Sequence, residues 1–313
     1  MIARRGVLLG ALALPVAAKA QQFAGAYAPD ASPIGEGIWL VRGADEAIGF
    51  DNGGAIANSV IMDTDAGSIV VDTGPSLKFG QSLEALARKL TGKPVARIYI
   101  THLHPDHSFG SGAFTGSEIH SLPATRADLE RDGTGFEDAM YRMLTGWMIG
   151  TEVVLPKGEA ASDDVAFGGR ELQLFGLSGH SAGDLAILDK ASGTLIAGDL
   201  VFYNRAPATP HAEFADWQAS LDALEKVPHT QLVPGHGPLD KAGSAIAQTR
   251  DWLTWLESSL REAVANGLDM TEAANMPIPA RFEGMEAARY ELTRSVSHFY
   301  PRYEAELFPR IDG

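Results

Sequence analysis

Between residues 38 and 71 the apolar positions come in short, β-branched runs. Ile38-Trp-Leu-Val41, Asn58-Ser-Val-Ile-Met62 and Ser68-Ile-Val-Val71 each predict a strand. Asp63-Thr-Asp-Ala-Gly67, between the last two, has the composition of a hairpin turn. From Leu83 to Leu90 the apolar spacing becomes helical. Ala96 to Ile100 is again short, apolar and β-branched, and this strand runs straight into Thr101-His-Leu-His-Pro-Asp-His107. Further strands are predicted over 172–177, 185–188, 194–197 and 231–233. Phe214, Trp217, Leu221 and Leu224 share one face of a helix over 213–227. After residue 240 the pattern is helical. Ile246, Leu253, Leu256, Leu260 and Val264 form one stripe with Gly267 as its C-terminal stop, and a second helical stretch covers 284–307. Strands in both halves with helices interspersed predict an α/β fold, with sheets packed together and helices outside.

The first twenty residues follow another grammar. Arg4 and Arg5 precede an apolar run from Gly6 to Ala18, and Ala18-Lys19-Ala20 fits a small-x-small cleavage site. Residues 1–20 therefore predict a signal peptide. The paired arginines point to the twin-arginine route, and the run is too short to span a bilayer comfortably. The expected location is periplasmic or secreted, with no membrane contact in the mature form. Residues 21–33 form an extended, poorly ordered lead-in, residues 34–240 the main domain, and 241–313 a helical extension.

Composition narrows the chemistry. Of 313 residues, 45% are hydrophobic and 21% charged, which suits a protein with a sizeable core. Cysteine is absent, which excludes disulfides, thiolate metal sites and cysteine nucleophiles. Removing residues 1–20 takes away three cations and no acid, so the net charge of −15 becomes −18. Such acidity argues against nucleic acid as a partner and otherwise serves solubility.

Three of the nine histidines fall within seven residues, as His102, His104 and His107, with Asp106 among them and Pro105 stiffening the turn. A loop leaving a strand can aim all four side chains inward, whereas residues two apart on a helix face different sides. Imidazole and carboxylate together suit zinc, and also iron or manganese. Similar residues recur at other strand ends: Asp72 in Val-Val-Asp-Thr-Gly, His180 in Gly-His-Ser-Ala-Gly-Asp, Asp199 in Gly-Asp, and His236 in Pro-Gly-His-Gly-Pro. Glycine beside each lets the backbone bend tightly around an ion.

In this order the five elements resemble the metallo-β-lactamase superfamily, over roughly residues 34–240. The resemblance implies a four-layer αβ/βα sandwich, here with a C-terminal helical extension, and a site along one edge between the sheets. It implies two Zn2+ ions per chain. His102, His104 and His180 would hold the first, and Asp106, His107 and His236 the second. Asp199 would bridge them, and Asp72 would orient the ligand loop. It further implies a small-molecule substrate, an ester, thioester, lactone or lactam attacked by a metal-bridging hydroxide, with Asp106 steering the proton.

Single residues separate the branches. His104 stands where the flavodiiron branch has glutamate, and the missing cysteine excludes β-lactamases with a cysteine in the second metal site. The leader, Ala197-Gly-Asp-Leu-Val-Phe202 and the helical tail are similar to an exported group, the quinoprotein relay system zinc metallohydrolases. Two other readings stay open on the same scaffold: a mononuclear iron dioxygenase of persulfide-type sulfur, and a non-catalytic accessory of a periplasmic quinoprotein or sulfur-oxidation system. The other histidines are given lesser places. His120 is a core or surface residue, His211 and His229 lie in loops near the rim, and His298 lies in the last helix. Tyr203 and Arg205 follow Asp199 closely enough to reach a substrate oxygen, and Trp147, Trp252 and Trp255 read as packing. The stretch 133–150 is a candidate cover for the cleft or plain surface structure. Oligomeric state is not legible.

Overall fold

In the computed structural model, which describes residues 25–308, the strands fall into two sheets. The first contains β1 (Ala31–Gly35), β2 (Ile38–Val41), β3 (Ser59–Met62), β4 (Ser68–Val71), β5 (Val95–Tyr99), β6 (Glu118–Ser121) and β7 (Gly158–Glu159), side by side in chain order. The second contains β8 (Asp163–Phe167), β9 (Arg170–Leu177), β10 (Asp184–Asp189), β11 (Thr194–Phe202) and β12 (Gln231–His236), likewise side by side. β1 to β4 pair antiparallel, with short turns between β1 and β2 and between β3 and β4 and a longer loop over 42–58, and β4 to β7 pair parallel. Parallel neighbours need crossovers. These are supplied by α1 (Leu77–Thr91), by a loop with the short α2 (Pro105–Ser108), by α3 (Pro123–Leu144), and in the second sheet by α4 (Phe214–Glu225) between β11 and β12. α5 (Ala245–Ala265), α6 (Met270–Ala274) and α7 (Ala288–Leu307) complete the seven helices among the described residues.

The period of two along each strand sorts the apolar residues into layers. Ile38, Leu40, Val60, Met62, Ile69 and Val71 point from the first sheet into the sandwich, where they meet Leu172, Leu174, Leu185, Ile187, Ile196 and Val233 of the second. Their neighbours Val41, Ile61 and Val70 point outward onto Phe79, Leu83 and Ala87 of α1. On the far side Ala186, Leu195 and Ala197 meet Trp217, Leu221 and Leu224 of α4. The order is helix, sheet, sheet, helix. The outer cluster continues through Trp252, Leu256 and Leu260 of α5 to Leu292, Val296 and Phe299 of α7.

Most predicted elements are present, with extended ends. β11 continues to Phe202 and β12 to His236, and Asn266 and Gly267 end α5, with Gly267 in the left-handed region at φ 73°. Two features differ from expectation, and a third is an element whose form the sequence left open. Part of the lead-in, from Ala31, is an edge strand paired with β2. Asp106 and His107 sit on the one-turn helix α2 rather than on a loop, with Pro105 at its start. The stretch around residues 133–150 belongs to the 22-residue α3 and a following 3-10 turn. Its periodicity is diluted by Gly133, Gly135 and many charges. The expected signal peptide lies outside the described residues. No helix of the described residues is long and apolar enough to cross a membrane.

Leu185 is fully buried between the sheets. Leu185→Ala should cost about 3 kcal/mol, because it removes apolar contact on both faces of a site that cannot collapse. Chemical denaturation would read this as a lower midpoint at unchanged slope.

Candidate metal centre

The ends of β4, β5 and β12, the middle of β11 and the turn before β10 meet at the same edge of the sandwich, and each delivers one part of the site. The loop after β5 brings His102 and His104, and α2 brings Asp106 and His107. The β9–β10 turn brings His180, the middle of β11 brings Asp199, and the end of β12 brings His236. All seven side chains are buried. They form two sets, His102 with His104, His180 and Asp199, and Asp106 with His107 and His236. Within each set the donor atoms lie within 4.8 Å of one another.

The two sets touch through Asp199. Its Oδ2 faces His180 Nε2 at 3.3 Å and His102 Nε2 at 3.7 Å, and its Oδ1 faces His107 Nε2 at 3.0 Å and His236 Nε2 at 3.3 Å. Among the described residues, that buried Oδ1 has no hydrogen-bond partner. His104 Nδ1 lies 2.9 Å from both His102 Nε2 and His180 Nε2. Three imidazole nitrogens converging on one point cannot all be satisfied by protons, whereas a cation satisfies them together. The donor set of imidazoles and carboxylates therefore fits divalent metal ions.

Most ligand rings are locked by their other nitrogen. His102 Nδ1 meets Thr101 Oγ1 at 3.0 Å, His107 Nδ1 meets Asp72 Oδ2 at 2.7 Å, and His236 Nδ1 meets the Ile56 carbonyl at 2.9 Å. Each such contact fixes a tautomer and aims the remaining lone pair inward. Asp72 is the node of this support. Its carboxylate also accepts from Thr101 N and Thr101 Oγ1, both at 2.8 Å. It has φ 60°, a left-handed conformation that aspartate tolerates better than most residues and that stores strain at a functional site. Glycine is required where the strands close on the acid. A Cβ on Gly235 would stand 1.9 Å from Asp199 Oδ1.

Burial is the first influence on the charges. It holds His102 and His104 well below their ordinary pKa, with added repulsion from neighbouring histidines, and it lowers His180 to about 3. These rings are neutral at neutral pH, with lone pairs available to a cation. For His107, burial is outweighed by Asp199, Asp72 and Asp106, which raise its pKa well above the usual value. A cation bound at Nε2 would displace that proton. Burial would also raise Asp199, but His236, His107, His180 and His102 hold it well below the carboxylate range. Burial lifts Asp184 to about 7, against the pull of hydrogen bonds from Ser181 and from His180 N, and these bonds shape the His180 turn.

The model of the metallo-β-lactamase superfamily matches residues 52–236. The chain belongs to the metallo-β-lactamase superfamily. Among curated relatives it is 22% identical over 284 residues to the linear primary-alkylsulfatase of Pseudomonas sp. (strain ATCC 19151), covering 76% of this chain and 53% of that one. It is 25% identical over 185 residues to the Beta-lactamase-like protein 2 homolog of Caenorhabditis elegans, covering 58% and 56%. The chain thus spans about half the length of these two relatives. It is 26% identical over 226 residues to the acyl-coenzyme A thioesterase MBLAC2 of Gallus gallus, covering 65% and 79%. A solved metallo-β-lactamase from Pontibacter korlensis superposes with a TM-score of 0.61 at 19% identity, over 72% of this chain and 99% of that one.

In this superfamily member a cleft of about 420 Å³ opens beside the ligands, lined by His104, Asp106, Asp199 and His236 together with residues distant in sequence. His211 is the first of these. Its Nδ1 lies 2.9 Å from His104 Nε2, so it supports a ligand as Asp72 does. Burial, against the pull of Asp132 and Asp128, lowers its pKa and keeps the ring neutral. His298 and Arg205 also line the cleft, as do Tyr290 and Arg294, which sequence reasoning passed over. Tyr290, Arg294 and His298 stand four apart on α7, a spacing visible in the sequence, but nothing local says what that face looks at. Other candidates lie elsewhere. The Tyr203 hydroxyl accepts from Ser244, His229 Nδ1 donates to the Val227 carbonyl, and the His120 ring packs at a tilt against Tyr99. Trp147 and Trp252 are core residues, and Trp255 packs against the same cluster as Trp252.

Asp72→Ala frees the second nitrogen of His107 and the Thr101 loop at once. Zinc affinity should fall about 10- to 100-fold. Competition against a chromophoric chelator would measure it.

Proposed function

We propose that this protein is an exported, binuclear zinc-dependent hydrolase of a small ester, thioester, lactone or lactam. The observation that carries the reading is the division of Asp199. One oxygen faces a three-histidine set, and the other, without a hydrogen-bond partner among the described residues, faces Asp106, His107 and His236. A mononuclear site would leave that second set of buried ligands unused. The curated relatives add support at the level of class, since their names are those of a sulfatase, a thioesterase and a lactamase. Export rests on the leader alone, and membership of the relay-system group on its resemblance.

Two bound zinc ions would supply Lewis acidity and lower the pKa of water. The chain does the rest. His102 and His180 through Nε2 and His104 through Nδ1 would hold the first ion, and Asp106, His107 and His236 the second, with Asp199 between them. Asp72 and His211 keep the ligand rings in their tautomers. Asp106 lines the cleft with Oδ2 3.3 Å from His236 Nε2, at the boundary between ligands and substrate space. From there its carboxylate takes a proton from the attacking water and passes it to the leaving group.

Elemental analysis of the exported chain should find about two zinc ions. The loaded protein should hydrolyse at least one member of a panel of esters, thioesters, lactones and lactams. Asp106→Asn should lower kcat about 100- to 10,000-fold. A zinc-loaded protein that leaves the whole panel intact would sink the reading. One iron per chain with oxygen uptake on a persulfide would replace it with the dioxygenase.

A further inference from the structure

Two helices supply much of the cleft lining. Phe136, Met140 and Met143 form an apolar stripe on α3, and Tyr290, Arg294 and His298 a polar and basic one on α7. The apolar stripe starts at the metal centre, because the Phe136 ring stands edge-on to ligand His104 with centroids 6.1 Å apart. Met143 is 43% exposed, so the stripe runs out to the surface.

The basic stripe has a built support. Glu291, one residue from Tyr290, is fully buried. Its Oε1 accepts from Arg205 Nη2 at 3.1 Å and its Oε2 from Arg294 Nη1 at 3.0 Å. Two guanidinium groups share one carboxylate, which leaves a net positive charge at the cleft. Arg205 is buried, and its Nε has no partner among the described residues. Arg294 is 35% exposed, so it is both held by Glu291 and accessible from the cleft. The nearby acids of α3 are already engaged. Arg131 reaches Asp128 at 2.8 Å and Asp132 at 2.6 Å. On a chain with net charge −15, a fixed cation beside an apolar wall is a local exception. A guanidinium so placed attracts and orients an anion.

We propose that the cleft takes an anionic amphiphile, a hydrolysable acyl compound whose apolar chain lies along the α3 stripe and whose negative group docks on Arg294. The bond cut rests on the hydrolase reading above, but the mode of binding does not.

Calorimetric titration of the zinc-loaded chain separates the two. The probes are 1-octanesulfonate, a weak zinc ligand, and octyl methyl sulfone, its neutral counterpart, both below any micellar range. The sulfonate should bind about tenfold more tightly than the sulfone. Arg294→Ala should bring that ratio towards one, Arg294→Lys should keep most of it, and Met143→Asp should weaken both probes. Equal affinities in the native protein overturn the proposal. So does a ratio untouched in an Arg294→Ala protein of normal zinc content and circular dichroism. Neither titration needs turnover. Selective sulfonate binding with no hydrolysis of any panel member supports this proposal and counts against the hydrolase, and hydrolysis of neutral esters without charge selectivity does the reverse.

Discussion

A dry carboxylate surrounded by four imidazoles governs the design of this molecule. Asp199 has two histidine nitrogens within 3.7 Å of each oxygen and is almost completely shielded from water. Burial alone would neutralise it, and the positive charge that prevents this falls on His107, against the pull of that ring's own burial. Protons cannot satisfy all these lone pairs at once, and divalent cations can. The fold must therefore hold the seven groups close enough to bind ions and stiff enough not to collapse onto one another.

Both sheets are needed for that. His102, His104, Asp106 and His107 come from the first, and His180, Asp199 and His236 from the second, so the spacing between sheets is also the spacing between ligands. The apolar layer of Ile, Leu and Val fixes the distance, and hydrogen bonds fix the register. Asn58 at the start of β3 donates from Nδ2 to the carbonyls of Pro234 and Gly237, at 2.8 and 2.9 Å, and its N donates to the Gly235 carbonyl. One side chain of the first sheet thereby clamps the turn that carries His236. Asp72 makes the matching clamp within the first sheet, and its positive φ is a local strain that this network of donors sustains.

The chemistry was legible in the sequence because it is local. His102, His104, Asp106 and His107 fall within six residues at one strand end, and each remaining candidate ligand sits beside glycine within or shortly after an apolar strand run. The layering was legible for the same reason, since unbroken apolar runs such as Ile38–Val41 and Ser68–Val71 are those of strands covered on both faces. What failed was non-local or diluted. α3 hides its periodicity behind two glycines and many exposed charged positions, and β1 and β7 are short edge strands with little apolar signal. His211 meets His104 across 107 positions of chain, and no spacing rule reaches that far.

A division of labour follows from where the parts lie. The stretch matched by the superfamily ends at His236, so it contains every ligand, but Tyr290, Arg294 and His298 lie beyond it. Strand ends position the reacting centre, where angstrom errors are costly and backbone hydrogen bonds set the geometry. Helix faces line the space in front of it, where a change of side chain alters what fits without disturbing a ligand. α7 reaches that space because its opposite face, Leu292, Val296 and Phe299, is bound into the core with α4 and α5. The same packing that buries Glu291 also holds Arg294 at the cleft. On the proposed reading, selectivity rests on the outer helical layer and catalytic geometry on the inner sheets.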